Sequence, residues 1–307
     1  MRAKGQSRKL MSARTFQIAV VGAMLAGTLI APILIAQTQT HAVAAHKEYH
    51  FNVEPKSGVS VNNPYGSISV KPSNGNVVVI NALLASDRVE VDNNLVGNRV
   101  EIQSHLLPGA DADSGRVDYE ILVPADASIT LHSSTGPLRA EKLHGDVTLE
   151  GAAATCEIRD MTGGHVRVKT LNGPVTLTNV QDGYVEIDSL SGEVTLNGVT
   201  GPLVQVISTS GSISYTGDFG DRGEYRLTSH SGDIEAIVPE TTSADVSARS
   251  IRGEVHDDIH LQPKAHTWFP LKEGSAFWGT MGRAAVSSTV VLRSFSGKIH
   301  LRKRTSK

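Results

Sequence analysis

Three groups of residues in this 307-residue chain are of types that could do chemistry. The densest is His256-Asp257-Asp258-Ile259-His260, two imidazoles and two carboxylates within five positions. Those are donors that suit a divalent cation. Their order departs from the His-Glu-x-x-His phrase of helical zinc sites, so the segment reads as a surface loop and no metal is assigned. Next come Glu193 and Asp233, acids two sequence repeats apart. That puts them roughly 9–10 Å from each other at the spacing of neighbouring strands, a separation that would suit an inverting glycosidase. The matching positions of other repeats hold Glu157, Pro174, Ser212 and Glu254, and a second row holds Asp146, His165, Tyr184, Pro202 and Glu224. Mixed rows of this kind suit a solvated surface, so no catalytic residue is assigned. The third candidate is Cys156, the only cysteine. Nothing local would generate a thiolate there, and one thiol cannot form an internal disulfide. It reads as a small apolar residue at a position where a glycine is expected. No phosphate loop, nucleotide fingerprint or Ser-His-Asp phrase occurs, and no cofactor is expected.

Two further features could contact a partner. Trp268, Phe269, Phe277 and Trp278 crowd into one segment, 256–288, which holds both tryptophans. They are candidates for ligand contact, or for a cap on the end of the fold. The tail Lys298, Arg302, Lys303, Arg304 and Lys307 is basic and could touch anionic polymers or headgroups. Elsewhere 29 Lys+Arg nearly balance 31 Asp+Glu, which excludes the clustered basic footprint of a nucleic-acid binder.

The elements that must position these residues are written as repeats. "TLNGPVTLTNVQDGYVEI", from Thr170, is nearly restated as "SLSGEVTLNGVTGPLVQV", from Ser189. Glycines at 173, 192, 211, 232 and 253 step by 19 to 21 residues, each followed by alternating apolar and polar positions. A second series runs through Gly145, Gly164, Gly183, Gly201 and Gly223. A repeat of this length holding two short strands predicts a solenoid, here an all-β, right-handed parallel β-helix. Glycine is expected to supply positive φ for the turns, Ser-x-Ser-Gly to be turn chemistry, and Thr148, Thr176 and Thr195 to share one outward row. About four apolar side chains per coil cannot offset the ordering of its backbone, so coils must stack to fold.

The organisation read from the sequence is residues 1–45 as a signal peptide or membrane anchor and 46–307 as one solenoid domain. Within it, 46–130 is an irregular start, 131–255 regular coils, 256–288 an aromatic insertion or cap, and 289–307 the last strands and tail. Arg2, Lys4, Arg8, Lys9 and Arg14 precede an apolar run from Phe16 to Ala36. Ala42, Ala44 and Ala45 form a small-residue cleavage region. Uncleaved, the run reaches the roughly 20 residues that span a bilayer. Either outcome puts the body outside the cytoplasm, in the periplasm or at the cell surface.

The stretch "VDYEILVPADASITLHSSTGPLRAEKLHGDVTL", the recurring Ser-x-Ser-Gly-(Glu/Asp)-(Val/Ile) strands and the ending "WGTMGRAAVSSTVVLRSFSGKIHLRKR" resemble the bacterial putative-adhesin family. That resemblance covers roughly residues 46–304. It implies a domain of unknown function folded as a Gly-rich parallel β-solenoid, and it brings no catalytic residues. The chain departs from it at Arg283-Ala284-Ala285, where relatives tend to have glycines. The function expected is a non-catalytic envelope protein presenting a long face to a glycan, the cell wall or an envelope protein. The alternatives are a self-assembling structural solenoid or an accessory of envelope-stress signalling. A polysaccharide-active enzyme ranks last.

Overall fold

The computed structural model describes residues 45–263, 275–282 and 288–304. The described strands form two sheets, of 12 and 13 strands, and no helix occurs among the described residues. Residues 1–44, with Ala42, Ala44 and the expected leader, lie outside them, and Ala45 opens the first strand, Ala45–Asn52.

Through the regular part the chain alternates between the sheets. Leu138–Glu141, Cys156–Thr162, Val175–Gln181, Val194–Val199, Ile213–Thr216 and Ile234–Val238 stack in parallel in the 12-stranded sheet. Ser128–Ser133, Val147–Gly151, His165–Thr170, Tyr184–Ser189, Leu203–Ser208 and Glu224–Ser229 do the same in the other. Register follows the repeat: Val175 pairs with Val194, which pairs with Ile213. Each coil therefore gives one strand to each sheet and stacks apolar residues on their counterparts. Five inward residues per coil are buried, for example Val175, Leu177, Val180, Val185 and Ile187. Strand alternation accounts for four, and the fifth fills the corner between the sheets, as Met161, Val180, Val199 and Phe219 do in turn. Where the repeat lengthens to 21 residues, Phe219 stacks on Tyr215 at 4.7 Å and meets Tyr225 at 4.8 Å.

The other corner explains the recurring phrase. Its first Ser or Thr is buried, at Thr170, Ser189, Ser208, Ser229, Ser294 and Ser250. That hydroxyl bonds the glycine three residues on: it accepts from the N–H of Gly173, Gly232, Gly297 and Gly253, and donates to the carbonyls of Gly192 and Gly211. The glycines themselves answer to close approach. A Cβ on Gly192, Gly211 or Gly232 would sit 2.0, 2.0 or 2.2 Å from the carbonyl oxygen of the preceding coil's glycine. None of these three has the positive φ expected from the sequence. Backbones this close leave no room for a methyl group.

Register also corrects three sequence alignments. Cys156 pairs with Val175 and Leu138, so it is an inward apolar position. Ala154 holds the glycine place, its carbonyl lying 1.9 Å from where a Cβ on Gly173 would be. Glu157 consequently pairs with Thr176, outside the row of Pro174 and Glu193. Leu203, rather than Pro202, follows Tyr184. Thr148 lies in the 13-stranded sheet, whereas Thr176 and Thr195 pair in the 12-stranded one.

Sequence order and stacking order part company at both ends. The last coil, Ser288–Ser294 and Ile299–Lys303, sits between the coil of Glu224–Ser229 and Ile234–Val238 and that of Ala244–Ser250 and Val255–Asp257. At the other end, Gly58–Asn62 and Ile68–Pro72 lie between the strands Arg99–Leu106 and Val117–Val123 and the coil beginning at Ser128. Antiparallel partners flank each arrangement. Ala45–Asn52 runs along Val77–Leu84, Val89–Val96 along Arg99–Leu106, and Ser275–Met281 along Ala244–Ser250. A buried chain of bonds ties the first end: Asn63 Nδ2 donates to the Val117 carbonyl, and Ser104 Oγ bridges Asn63 and Tyr119.

Candidate binding surface

The corner built by the Ser-x-x-Gly turns carries a groove of about 560 Å³. Two rows of outward residues wall it, and the buried hydroxyl row, with Ser133, Thr170 and Ser189, is its floor. One wall is the end of the 13-stranded sheet, where His132, Glu150, Lys169, Asp188 and Ile207 occupy successive register positions. The opposite wall is the second residue of each turn, Ala152, Leu171, Leu190 and Thr209. Neighbouring turns are locked by backbone bonds, Leu171 N–H to the Gly151 carbonyl and Leu190 N–H to that of Thr170. Leu171, Leu190 and Ile207 are 53, 48 and 45% exposed. Large apolar side chains this open, side by side on a rigid corner, form a patch rather than the scattered exposure of ordinary surfaces. The polar wall alternates in sign, with His132 Nδ1 3.0 Å from Glu150 Oε2 and Lys169 between Glu150 and Asp188. Beyond Thr209 the corner continues as His230, Phe295 and Ile251. There Phe295 is sandwiched between the His230 ring, stacked at 4.8 Å, and the Arg252 guanidinium, also 4.8 Å from its centroid.

The residues singled out from sequence do not gather here. Trp268 and Phe269 lie outside the described residues, as does Arg283-Ala284-Ala285. Phe277 and Trp278 sit on Ser275–Met281, along the outer edge of Ala244–Ser250. Phe277 packs against the core, and the Trp278 indole N–H donates to Ser247 Oγ. In the His256–His260 segment, the Asp257 carboxylate accepts the N–H groups of Ile259, His260 and Leu261. His256 reaches Glu254 at 3.1 Å and His300 reaches Asp258 at 2.8 Å. No group of three metal ligands converges among the described residues. Glu193 and Asp233 are both exposed, with Ser212 between them in the row. Asp233 Oδ1 accepts the Lys298 N–H, and Lys298 separates it from Glu254. Burial pushes the Cys156 thiol up to about 12, which keeps it protonated at neutral pH and unreactive.

The groove was legible in one signal that the turn reading passed over. In Thr-Leu171-Asn-Gly, Ser-Leu190-Ser-Gly, Ser-Phe295-Ser-Gly and Ser-Ile251-Arg-Gly, the second turn position is apolar where a solvated turn would hold a polar residue.

Two solved bacterial structures are similar to the chain. One is a putative cell adhesion protein from Clostridium sporogenes ATCC 15579, 13% identical, covering 85% of this chain and 100% of its own, with a TM-score of 0.28. The other is a putative adhesin from Bacteroides fragilis NCTC 9343, 10% identical, covering 84% and 97%, with a TM-score of 0.42. Among curated proteins none matches. Residues 51–268, more than half of the chain, match the family model described as Toastrack DUF4097, and the chain belongs to that family of unknown function.

Proposed function

We propose that this is a non-catalytic, exported envelope protein whose corner groove binds an elongated partner, a glycan strand, cell-wall polymer or extended segment of an envelope protein. The observation that carries the reading is the pair of stacked leucines Leu171 and Leu190 facing the row His132, Glu150, Lys169, Asp188 and Ile207. A ladder that repeats at the strand spacing of about 4.8 Å offers the same contact many times. Weak contacts to a repeating polymer then sum along it. The basic, then apolar, leader in residues 1–36 supports export, with the body in the periplasm or at the surface and either cleaved or held by the leader. The solenoid winds in the right-handed sense that its parallel strands favour. The strand Ser275–Met281 serves as a cap, since it lies along a sheet edge that would otherwise be open. A catalytic reading has less support: the row of Glu193 and Asp233 is exposed and mixed, with a serine between the two acids.

The test is co-sedimentation of residues 42–307 with purified cell envelopes and a panel of polysaccharides, beside a protein-only tube. Pelleting that needs the polymer, and that falls about tenfold in Leu171→Asp/Leu190→Asp, is the expected result. A double variant that pellets like the parent removes the groove from the account. A parent that never pellets removes polymer binding.

A further inference from the structure

The corner groove is polarised along its length. Past Ile207 its sheet-side wall runs on through Thr228, Arg293 and Arg249, register partners in turn. The facing wall continues as His230, Phe295 and Ile251, and the Arg252 guanidinium lies 4.8 Å from the Phe295 centroid. Arg249 and Arg293 thus stand side by side on paired strands, like charges directly opposite each other, an arrangement that costs stability. Both are exposed, as is Arg252. Among the described residues none of the three has a carboxylate partner. Elsewhere on the two sheets outward arginines meet acids across neighbouring strands, Arg139 with Glu157, Arg167 with Glu186 and Arg302 with Glu235. The acids that follow these turns, Asp233 and Glu254, are engaged with the Lys298 N–H and with His256. The other end of the groove has the opposite sign. Its wall holds Asp188 and Glu150, with Lys169 between them, and beyond His132 it runs on through Asn62, Gln103 and Asp92. Asn62 also lines a second cavity, of about 250 Å³, that carries Asp92 and Glu101. In that half, acids at 92, 101, 150 and 188 face a single lysine, Lys169. The exposed apolar residues, Leu171, Leu190 and Ile207, fill the middle.

We propose that the occupant of the groove is an extended polypeptide segment, acidic where it meets Arg249, Arg252 and Arg293, apolar over Leu190 and Ile207, and basic toward Glu150 and the acids beyond it. This rests on the groove being a binding site, and it selects one of that site's three partner classes. Charge complementarity makes the selection. A neutral glycan leaves three arginines unmatched, and a uniform polyanion is drawn to one end and repelled from the other. A polymer of one repeating unit presents the same groups to both ends. A polypeptide is the polymer that places acid, hydrocarbon and base in a chosen order. The guanidinium fork pairs with a side-chain carboxylate through two bonds, and Arg252, stacked on Phe295, is held in place for it. From Arg249 to Glu150 is six strand steps, about 29 Å, which an extended segment covers in about nine residues. Opposed potentials at the two ends fix which way round the segment lies.

The full chain is immobilised and panned with a displayed library of random peptides of about 12 residues, enough to span that length. The expected result is enrichment of sequences in which apolar residues separate an acidic cluster from a basic one. A synthetic copy of the most enriched peptide should lose about tenfold in affinity on Leu171→Asp/Leu190→Asp and on Arg249→Glu/Arg293→Glu. Arg249→Gln/Arg293→Gln, which removes a like-charge repulsion, should weaken the same peptide. The Arg249→Glu/Arg293→Glu protein, panned afresh, should select peptides with bases at both ends, which also shows that it folds. Enriched peptides without charge order, or ones that bind the arginine variants as tightly as the parent, overturn the polypeptide. Peptides that need the arginines but not the leucines put the site outside the groove and overturn both readings. A parent that pellets with polysaccharide through its leucines but enriches no peptide keeps the groove and overturns only its polypeptide occupant.

Discussion

A methyl group added at Gly211 and one added at Gly198 would meet different surroundings. At Gly211 the new Cβ would stand 2.0 Å from the Gly192 carbonyl oxygen, a backbone atom that can move only if two coils part. At Gly198 there is nothing within 4 Å, and the cost is the positive φ of 61° alone. Gly211→Ala is therefore expected to lose about 3 kcal/mol or more, from overpacking that no side-chain rotation relieves. Gly198→Ala should lose only about 1–2 kcal/mol, the left-handed strain of an L-residue. Urea midpoints of the two variants decide it, and equal losses would mean that the coil spacing is softer than the ladder implies. The same positions show why residue roles were only partly legible. Spacing reveals that glycine recurs, but free φ and close approach both call for glycine. Only the neighbouring coil, 19 or 21 residues away, tells them apart. Cys156 was misplaced by two positions for the same reason: Ala154, small enough to stand in for glycine, breaks the phrase by which the repeat is aligned.

Among the elements, the alternating strands were plain in the sequence because a period of two marks a half-buried strand whatever its partners. Their corners were less so. Phe219 fills its corner from a stretch, Gly217 to Gly223, that reads as loop, and its ring contacts Tyr215 and Tyr225 from the strands Ile213–Thr216 and Glu224–Ser229. The burial that binds these strands also fixes their ionisation. Desolvation raises the phenols of Tyr215 and Tyr119, pushes that of Tyr225 up to about 12, and does the same to the Cys156 thiol. Unfolded, the phenols titrate near 10.0 and the thiol near 9.0. Above those values the unfolded chain releases protons that the folded chain keeps. Stability is thus complete below about pH 8 and falls as the pH rises, by up to about 1.4 kcal/mol per pH unit for each group. Urea midpoints at pH 8 and pH 11 should differ, lower at the alkaline value, with a smaller drop in Tyr225→Phe. Midpoints that do not move between the two would mean that these rings are open to water.

For the whole molecule, the order of stacking matters more than the number of coils. A solenoid whose coils stack in sequence order loosens from its chain ends, because the terminal coil has one neighbour. Here the terminal coils are the bolts: residues 58–72 and 288–303 each have a parallel coil on both sides. No periodicity announces this. Gly253 continues the glycine step from Gly232 as faithfully as any other, and the strands after the aromatic segment look like a resumption of the stack rather than an insertion into it. Only complementarity distributed over two coils at once chooses the inserted place. It also reverses the ordinary expectation for local opening, which follows burial and hydrogen bonding rather than distance from the terminus. In native-state hydrogen exchange the amides of Val290 and Leu292 should be slower than those of Val246 and Ala248, although they lie closer to the C-terminus. At the other end, Val59 and Val61 should be slower than Val89 and Val91 of the outer hairpin. The slow amides would place the bolts among the last parts to open, so that the stack unfolds from coils that are interior in sequence. Faster exchange at Val290 than at Val246 would instead show a terminal coil that frays like any other, and the inserted order would then contribute nothing to holding the stack closed.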